Sequence, residues 1–427
     1  MTVVGLDDTD SRERGMCTTY VAAQLAERLR REGRVERLCL VRLNPAVPYK
    51  TRGNAALAVH TDVRVERAFD LATGAVAGAA ETDDPDTNPG VVVAGGDPGA
   101  VPDAVAAFSR RAVREEVEPA EARTLADESG YRHEGWKLGR GVVGALAAVG
   151  AWRAWEADDE FDGPTYEVIA YREPERWGTS REVDRESVFE AAGSEYPTVW
   201  DTVDRVEGEA VCVPHTPGPV LHGIRGDDPE ACRRVSTAIR SEPVERRETF
   251  VTNQGTDAHL RDGRVGTVEE ARAYHLDGVV TSTPETRRGG HVFFDFGDGD
   301  ANLQSAAFEP TKRFRDRVRA LRVGDRLTVC GEVSDGTLKL EKFAVRELVT
   351  TERATPTCPD CGRRMSSAGR DQGYRCRDCG TSADGKVDRP VERDIEEGWY
   401  EVPPVARRHV AKPLVRGGFD APIHPER

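Results

Sequence analysis

The chain has 427 residues, too many for one compact core, and this length predicts two to four domains. No run of 18 apolar residues occurs and the mean hydropathy is -0.56, so a membrane-spanning segment is excluded. The first residues lack the basic region and long apolar stretch of a signal peptide. Because nothing indicates secretion and the nine cysteines include two CxxC pairs, we expect a reducing, cytoplasmic environment.

The charge balance gives a mixed indication about the partner. The formal net charge is -15 and the isoelectric point is about 5.3, whereas proteins that bind nucleic acid usually carry a basic surface. However, almost all basic residues are arginines, and the acidic residues are spread along the whole chain. This distribution resembles proteins from salt-loving organisms, in which local arginine clusters indicate the partner better than the total charge does. An ordinary acidic enzyme without a nucleic-acid partner is the alternative.

Residues 1–160 alternate short apolar runs with amphipathic segments, which predicts an α/β domain. The predicted elements are strands at 3–6, 38–43, 55–60 and 91–94 and a helix at 17–30. The stretch 81–90 consists mostly of Asp, Thr, Asn, Pro and Gly, so we predict a loop there.

Two further patterned blocks follow the first. Residues 161–260 predict a small α+β sandwich of ferredoxin-like type, with strands at 166–171, 210–213 and 248–253 and helices at 187–192 and 229–240. Residues 265–350 have closely spaced strands with Gly-rich turns, which predicts a small β-barrel; the strands lie at 278–282, 291–296, 325–333 and 337–345. The tail at 386–427 is rich in Pro and Arg and gives no prediction.

Paired cysteines near the C-terminus give the most specific local signal: Cys358, Cys361, Cys376 and Cys379. Two CxxC turns separated by fourteen residues can direct four thiolates to one point, which predicts a closed tetrahedral zinc site in a ribbon at 355–385. Gly362 and Gly380 each follow a pair, as a tight turn requires. A closed site leaves no position for water, so we assign the Zn²⁺ a structural role. Free or disulfide-bonded cysteines are the alternative.

The predicted ribbon is locally basic within an acidic chain. Its arginines include Arg363, Arg364 and Arg375, and such a cluster favours contact with RNA phosphates. A solvated arginine-rich face explains the same residues without RNA.

The predicted barrel has the pattern of an OB-fold, because residues 323–331 alternate apolar and polar positions between glycines. Three phenylalanines lie in one predicted strand, where Phe294 and Phe296 share a face opposite Phe293. OB-folds stack bases on such aromatic side chains. We therefore assign Phe294 and Phe296 to RNA binding, with a place in the barrel core as the alternative.

Three carboxylates follow the first predicted strand: Asp7, Asp8 and Asp10. Clustered carboxylates at a strand end are hard oxygen ligands that suit Mg²⁺, which usually keeps water and phosphate as its other ligands. Helix capping explains one acidic residue here but not three. We therefore predict a catalytic magnesium site in this acidic loop.

The helix start after the acidic loop has the features of a phosphate site. Exposed N–H groups at a helix N-terminus bind anions, and Gly15 allows phosphates to approach the backbone closely. Thr18 and Thr19 then place hydroxyls near a γ-phosphate, although Thr18 can instead be a helix cap. We assign Gly15, Cys17 and Thr19 to ATP binding and Thr18 to catalysis. The segment is not a Walker A loop, since GxxxxGK[ST] is absent.

A second candidate phosphate site lies at 48–54, where Lys50 and Arg52 stand between two predicted strands. Two cations at this point can clamp the ATP phosphates from the side opposite the metal.

One motif matches a dinucleotide-binding pattern without the sequence context that such a site requires. Residues 139–144 spell GxGxxG, but no convincing strand precedes them and no βαβ unit surrounds them, so a dinucleotide site is disfavoured. Small residues that permit close helix packing are the better explanation, although a role near ATP is possible. We assign His215, His222 and His259 structural roles.

Several segments together identify a resemblance: DDTDS, GMCTTY, NPAVPYKTRGN, KLGRGVVGALAAVG, TYEVIAYR, NQGTDAH and the CxxC pairs. In this order they resemble the archaeal tRNA(Ile) 2-agmatinylcytidine synthetases over essentially the full length. The resemblance implies a kinase-like ATP-binding domain at 1–160, a ferredoxin-like domain at 161–260, an OB-fold at 265–350, a zinc ribbon at 355–385 and a tail at 386–427.

The resemblance also implies an activity. In that family the first base of the CAU anticodon of tRNA(Ile), a cytidine, is phosphorylated at its 2-oxygen. Agmatine then displaces the phosphate, ATP ends as AMP, and decoding changes from AUG to AUA. The threonine of the GMCTT motif, which falls on Thr18, is itself phosphorylated. The implied cofactors are ATP, Mg²⁺ and structural Zn²⁺, and we expect a monomer.

Two other classes of function stay open. A non-catalytic RNA-binding protein accounts for the barrel and ribbon but leaves the acidic loop unexplained. An ATP-dependent small-molecule ligase accounts for the acidic loop but leaves the C-terminal modules without a purpose. No motif read from chemistry alone identifies agmatine as the amine.

Overall fold

A nine-stranded sheet forms the N-terminal part of the protein. The computed structural model describes residues 1–51, 53–158, 161–408 and 411–427. The sheet order is β5-β4-β1-β3-β2-β9-β6-β8-β7, antiparallel throughout except between β2 and β9. In chain order the strands are β1 (Thr2–Asp7), β2 (Val35–Arg42), β3 (Ala55–Thr61), β4 (Gly90–Gly95), β5 (Arg132–Gly135), β6 (Thr165–Arg172), β7 (Val199–Trp200), β8 (Val220–Gly226) and β9 (Val244–Thr252).

Seven helices cover this sheet. Side chains alternate along β1, so Val4 and Leu6 pack against α1 and α2, while Val3 packs in the core of α3, α4 and α5. Within the described residues, no helix is both long and apolar enough to cross a membrane. The helices are α1 (Thr18–Arg30), α2 (Val65–Ala79), α3 (Asp103–Arg114), α4 (Pro119–Glu128), α5 (Gly141–Glu156), α6 (Arg185–Glu195) and α7 (Pro229–Ala238).

Helix α5 lies unusually close to the sheet because glycines face it. A Cβ atom on Gly5 would lie 2.0 Å from the carbonyl oxygen of Ala145, and one on Gly90 would lie 2.1 Å from the amide nitrogen of Val142. In the GxGxxG motif, a Cβ on Gly141 would lie 2.5 Å from the amide nitrogen of Gly90, so close packing as the reason for this glycine is confirmed. The helix is apolar on nearly every side, as a helix enclosed by a sheet and by other helices must be.

The predicted strand at 210–213 is wrong. Residues 210–213 form a turn, and the strand of this region is β8, which begins at Val220. Cys212 is buried and packs with Ala210 and Val213 against the core of α6 and α7. The apolar run therefore reflects burial from a turn and not pairing in the sheet.

The next block is a closed five-stranded barrel. Strands β11, β13, β14, β16 and β15 pair in this circular order, and a short helix, α8 (Phe314–Arg319), lies between β14 and β15. This is the order of an OB-fold. The strands are β10 (Leu260–Asp262), β11 (Arg272–Val280), β12 (Glu285–Thr286), β13 (Val292–Gly297), β14 (Asn302–Ala307), β15 (Arg326–Ser334) and β16 (Thr337–Glu347).

Five short strands form the ribbon around the paired cysteines. They are β17 (Thr351–Ala354), β18 (Ser366–Ser367), β19 (Tyr374–Arg375), β20 (Ser382–Ala383) and β21 (Val387–Pro390). The combination of an α/β and α+β sheet, a closed barrel and a four-cysteine ribbon confirms the predicted fold class.

The tail returns to the barrel and ties it to the large sheet. Its strand β22 (Gly398–Glu401) pairs with β16, and β23 (Ile423–His424) pairs with β22. Beyond β22, the guanidinium of Arg416 lies 2.7 Å from a carboxylate oxygen of Asp227, which follows β8.

We expect the contact between α5 and the sheet to tolerate no added methyl group. Gly5→Ala should lower the free energy of unfolding by roughly 1–3 kcal/mol, because the new Cβ overlaps backbone atoms that cannot move alone. The control is Gly74→Ala in α2, where a Cβ meets no atom within 4 Å and removing a helical glycine should stabilise by roughly 0.5–1 kcal/mol. Thermal unfolding of the two variants checks this. Equal stability of the two would contradict it.

Candidate active site

A cavity of about 500 Å³ opens at the end of β1. The acidic loop, the start of α1 and the start of α5 meet there, with the barrel nearby. The lining residues come mainly from five segments, at 7–19, 40–55, 112–119, 140–144 and 214–220.

The three predicted carboxylates all line this cavity. Asp7 is the last residue of β1, and its carboxylate accepts a 2.7 Å hydrogen bond from the Asp8 N–H. The carboxylate of Asp8 accepts a 2.8 Å bond from the N–H of Asn88, and its backbone has a φ of 62°. Thr51 donates its hydroxyl to Asp10 at 2.8 Å. These hydrogen bonds fix the loop. Among the described residues, however, only the ribbon cysteines bring three or more Asp, Glu, His or Cys ligand atoms within 4.8 Å of one another, so the three carboxylates share the cavity without forming a closed ligand set.

The electrostatics of this cluster disfavour its ionised form. Burial raises the pKa of Asp7 well above its ordinary value, and the neighbouring Asp8 and Asp10 raise it further. Burial also raises the pKa of Asp8 to about 7, and Asp10 adds to this, whereas Lys137 and Arg140 lower it. A bound cation would relieve this repulsion, and the carboxylate oxygens are of the type that Mg²⁺ prefers, but the magnesium site stays a prediction.

Thr18 is the first residue of α1 and is not its cap. The N-cap is Cys17, which makes no side-chain cap bond, so the capping alternative for Thr18 is wrong. Thr18 is 6% exposed and lines the cavity. Its Oγ1 accepts a 3.3 Å hydrogen bond from the N–H of Thr9 and lies 3.2 Å from the Thr9 hydroxyl.

The residues assigned to phosphate binding flank Thr18. Gly15 has a φ of 95°, which favours glycine, and a Cβ there would lie 2.9 Å from Cα of Gly218. The thiol of Cys17 lies 3.0 Å from the hydroxyl of Thr19, and both residues line the cavity. Their roles in ATP binding stay predictions.

Two cations that act on the Asp8 carboxylate were not among the predicted site residues. Lys137 donates its ammonium to backbone carbonyls of the 81–90 loop, including that of Asp84 at 2.6 Å, and Arg140 lies 3.9 Å over the ring of Tyr49. Both act on Asp8. The KLGRG segment could have indicated them, because two basic residues there precede a glycine-rich helix start. Lys50 also lines the cavity, and Arg52 lies outside the described residues.

A buried ion pair forms another wall that the sequence did not reveal. Glu167 on β6 is buried, and its carboxylate lies 3.4 Å from the guanidinium of Arg42 and 3.2 Å from that of Arg225. Arg42 also donates to the side chain of Gln254 at 2.9 Å, and its N–H donates to that of Asn253. These contacts give the TYEVIAYR and NQGTDAH segments a positioning role at the cavity.

Two of the three histidines are structural, as predicted. His222 is buried with Nε2 2.9 Å from the hydroxyl of Ser236, and His259 is buried with Nε2 3.2 Å from the carbonyl oxygen of Leu43. Burial lowers the pKa of each to about 4, so both imidazoles are neutral near pH 7. For His215 the structural role stays a prediction.

The assignment of Phe294 and Phe296 to RNA stacking is wrong. Both rings are buried in the barrel core, at 2% and 0% exposure, and cannot meet a base. Phe293 lies on the opposite, outer face, where the guanidinium of Arg287 sits 4.2 Å from its ring centre. Phe294 and Phe296 do share one face of the strand, as predicted, but that face is directed into the barrel core.

The four predicted zinc ligands come together. Their sulfur atoms all lie within 4.8 Å of one another, in the set Cys358, Cys361, Cys376 and Cys379. Gly362 and Gly380 have φ values of 71° and 73°, and each donates its N–H to the carbonyl of the first cysteine of its pair. This geometry fits one tetrahedral Zn²⁺ with no open position.

The ribbon arginines lie on the surface. Arg363, Arg364 and Arg375 are exposed, and Arg363 pairs with Asp378 at 2.6 Å. Exposed pairs of this kind contribute little to stability, so the arginines are available to a polyanion. Their contact with RNA stays a prediction.

Comparisons with known proteins decide the family. Three family models match, described as the TiaS TCKD domain at residues 3–65, the TiaS FLD domain at 139–259 and the TiaS C-terminal zinc ribbon domain at 355–395. The chain is 52% identical to TiaS of Haloquadratum walsbyi, a 2-agmatinylcytidine synthetase for an isoleucine tRNA, with 100% of both chains covered. This chain belongs to the TiaS family. The resemblance predicted from the motifs is confirmed.

More distant relatives and solved structures agree. The TiaS of Methanosarcina mazei is 46% identical over 97% of each chain. A crystal structure of TiaS in complex with its isoleucine tRNA and ATP matches with a TM-score of 0.88 at 43% identity, covering 100% of this chain and 99% of that one. A complex of TiaS with the same tRNA, AMPCPP and agmatine matches with a TM-score of 0.86 at 41% identity, with the same coverage.

We expect the ribbon to hold one zinc ion per chain. Cys376→Ser should lose the metal, because three thiolates and a hydroxyl bind zinc far more weakly than four thiolates, and the ribbon should become sensitive to protease. Ser382→Ala in the same ribbon should keep the full metal content. Elemental analysis of the purified proteins checks this, and a zinc-free wild type would contradict it.

Proposed function

We propose that this chain is an ATP-dependent ligase that joins agmatine to the first anticodon base, a cytidine, of tRNA(Ile) with a CAU anticodon. The observation that carries the proposal is a single cavity that three carboxylates, the Thr18 side chain and Arg140 line together. Relatives that match along the whole chain carry this activity in their names, and their solved complexes contain an isoleucine tRNA, ATP and agmatine. The reaction is expected in the cytoplasm.

The chemistry fits such a cavity. A cytosine C2 carbonyl is a poor electrophile, and phosphorylation of its oxygen creates a leaving group. The primary amine of agmatine then forms a bond to C2 while the C2–O bond breaks, and phosphate departs with the former carbonyl oxygen. Such steps depend on positioning and charge neutralisation more than on covalent catalysis by the protein. The cytidine must also turn out of the anticodon stack to reach the cavity.

Mg²⁺ is part of the proposal, with Asp7, Asp8 and Asp10 as its ligands. The proposal is supported by three carboxylates that line one cavity, two of them with raised pKa values. When bound, the ion would neutralise phosphate charge. Lys137 and Arg140 would hold further phosphate oxygens, since both already act on Asp8.

Thr18 is proposed as a phosphoryl acceptor within the cycle. Its hydroxyl lines the cavity, and it belongs to the first turn of α1, where free N–H groups favour an anion. The Thr9 hydroxyl beside it orients the oxygen. Glu116 and Glu118 also line the cavity and would offer negative charge to a cationic amine.

We propose that the chain is divided into five regions. They are 1–160 for ATP chemistry, 161–260 as the ferredoxin-like part, 265–350 as the OB-fold, 355–385 as the ribbon and 386–427 as the tail. The shared sheet supports a catalytic part that extends over the first two regions, because β2 and β9 pair directly. The barrel and ribbon are proposed to bind the tRNA.

Mass analysis of the tRNA after incubation with ATP and agmatine tests the proposed function. A gain of one agmatine minus one water at the anticodon cytidine is expected. ATP cleavage that needs no RNA would favour the small-molecule ligase, and binding of tRNA without any ATP cleavage would favour the non-catalytic RNA-binding protein.

Asp8→Asn should abolish ATP cleavage and leave the fold intact. A carboxylate whose pKa is raised on folding costs stability as the pH rises through about 7, so the metal-free variant should be more stable than the wild type at pH 8 and no more stable at pH 4. Asp83→Asn, at an exposed carboxylate paired with Arg14, is the control and should keep full activity. ATP turnover and melting temperature with a chelator are measured. Full ATP cleavage by Asp8→Asn would remove Asp8 from the site.

Thr18→Val should keep the fold and tRNA binding but lose modification. Valine preserves the branched shape and removes only the oxygen that faces the cavity. The expected result is no label at this position from γ-labelled ATP, and a decrease in modification rate of at least about 100-fold. Thr73→Val, on the outer helix α2, is the matched control. A normal rate in the Thr18 variant would limit this residue to a structural role.

A further inference from the structure

The 44–54 segment, part of which lines the cavity, contacts the barrel. The side-chain amide of Asn44, at the start of the 44–54 segment, donates to the carbonyl oxygen of Ala271 at 3.0 Å. Ala271 in turn donates its N–H to the carbonyl of Val333 at the end of β15. These contacts fix the catalytic segment against the β15–β16 hairpin, so any chain entering the cavity from this side passes both.

Lys50 lies on the catalytic side of this junction. It lines the cavity, and Arg12 donates to its carbonyl oxygen at 2.7 Å, which holds the backbone in place. Burial lowers the pKa of the Lys50 ammonium, and the largest charge effects on it come from the Glu332 carboxylate and from the cations Arg408, Lys339 and Arg12. Lys50 thus faces the barrel side of the cavity, whereas Lys137 and Arg140 are the cations that act on Asp8.

Lys339 lies on the barrel side. It belongs to β16 between Leu338 and Leu340, which are both buried in the barrel, so its side chain points outward. Its cross-strand partner is Glu332 on β15, whose carboxylate pairs with Arg408 at 3.3 Å. The carboxylate of Glu332 is therefore already matched by an arginine.

The use of lysine in this chain makes the two residues unusual. The chain has only seven lysines. Lys312, Lys342 and Lys412 pair with carboxylates, and Lys137 donates to carbonyls. Lys50 and Lys339 form no ion pair with any residue in the described ranges. Lys386 also pairs with no carboxylate in the described ranges, but Lys50 and Lys339 are the two whose charges act on each other beside the cavity. In a protein with 75 acidic residues, two such ammonium groups favour an anionic partner.

We propose that Lys50 and Lys339 form a two-lysine clamp that binds backbone phosphates of the RNA beside the nucleotide in the cavity. The inference rests on the proposed function and assigns Lys50 to the RNA instead of to ATP. Phosphate contacts position a nucleic acid without reading its sequence. The clamp would hold the strand on both sides of the junction while one base leaves the stack.

The test measures binding of an unmodified tRNA(Ile) transcript as a function of salt. Lys50→Ala and Lys339→Ala should each weaken binding by about tenfold, and each should reduce the slope of log affinity against log salt by roughly 0.7. In the double variant, the two losses of affinity and the two decreases in slope should add. Lys50→Arg and Lys339→Arg should restore most of the affinity, since a phosphate accepts either cation.

Controls separate the clamp from other roles. A transcript with a different anticodon should lose affinity by the same factor in each variant, because phosphates carry no sequence information. Arg64→Ala, at an 89% exposed side chain before α2 and at the far end of the sheet, should leave affinity and slope unchanged. ATP affinity should not change in Lys339→Ala. Unchanged RNA affinity and slope in Lys50→Ala, or a loss of ATP affinity in its place, would overturn the clamp. Failure of the wild type to modify tRNA would count only against the proposed function.

Discussion

The packing of α5 against the sheet is the contact on which the site depends. A Cβ atom on Gly144 would lie 1.9 Å from a carboxylate oxygen of Asp7, so only glycine lets the helix start approach the acidic loop. Gly5 and Gly90 allow the same approach from the strands. The helix therefore carries Arg140, which precedes it, to the cavity wall. The position of the cation near Asp8 follows from backbone packing and not from a flexible side chain alone.

The second constraint is the shared sheet. Because β2 pairs with β9, the segment after β2 and the segment after β9 emerge side by side, and Asn253 holds the backbone of Arg42. A few residues further on, a carboxylate oxygen of Asp257 lies 2.6 Å from the ammonium nitrogen of Lys342 in the barrel. In the tail, Arg416 forms an ion pair with Asp227, which follows β8 of the large sheet. Barrel and sheet are thus connected through buried contacts, which suits a site that must hold a tRNA and a nucleotide at once.

Local motifs were predictable and their surroundings were not. The acidic loop and the cysteines were found because each motif is contiguous or regularly spaced. Lys137 was missed because it meets Asp8 only through folding, from 129 positions further along the chain. Strand alternation placed Phe294 and Phe296 on one face, but the period of two does not say which face is inside. That depends on the closure of the barrel, which joins β11 to β15. The strand expected at 210–213 failed because burial, not pairing, selects those apolar residues.

The raised pKa values of Asp7 and Asp8 have a structural origin that also explains why they persist. Carboxylates that repel one another would separate if the loop could relax. Here Asp7 is fixed as the end of β1, Asp8 is held by the N–H of Asn88, and Asp10 is held by Thr51. The loop cannot lower its electrostatic energy by moving, so the remaining routes are protonation or a bound cation. Near neutral pH, binding of a cation becomes more favourable relative to protonation as the proton concentration falls. The fixed shape of the loop would therefore favour the Mg²⁺ proposed to bind beside these carboxylates.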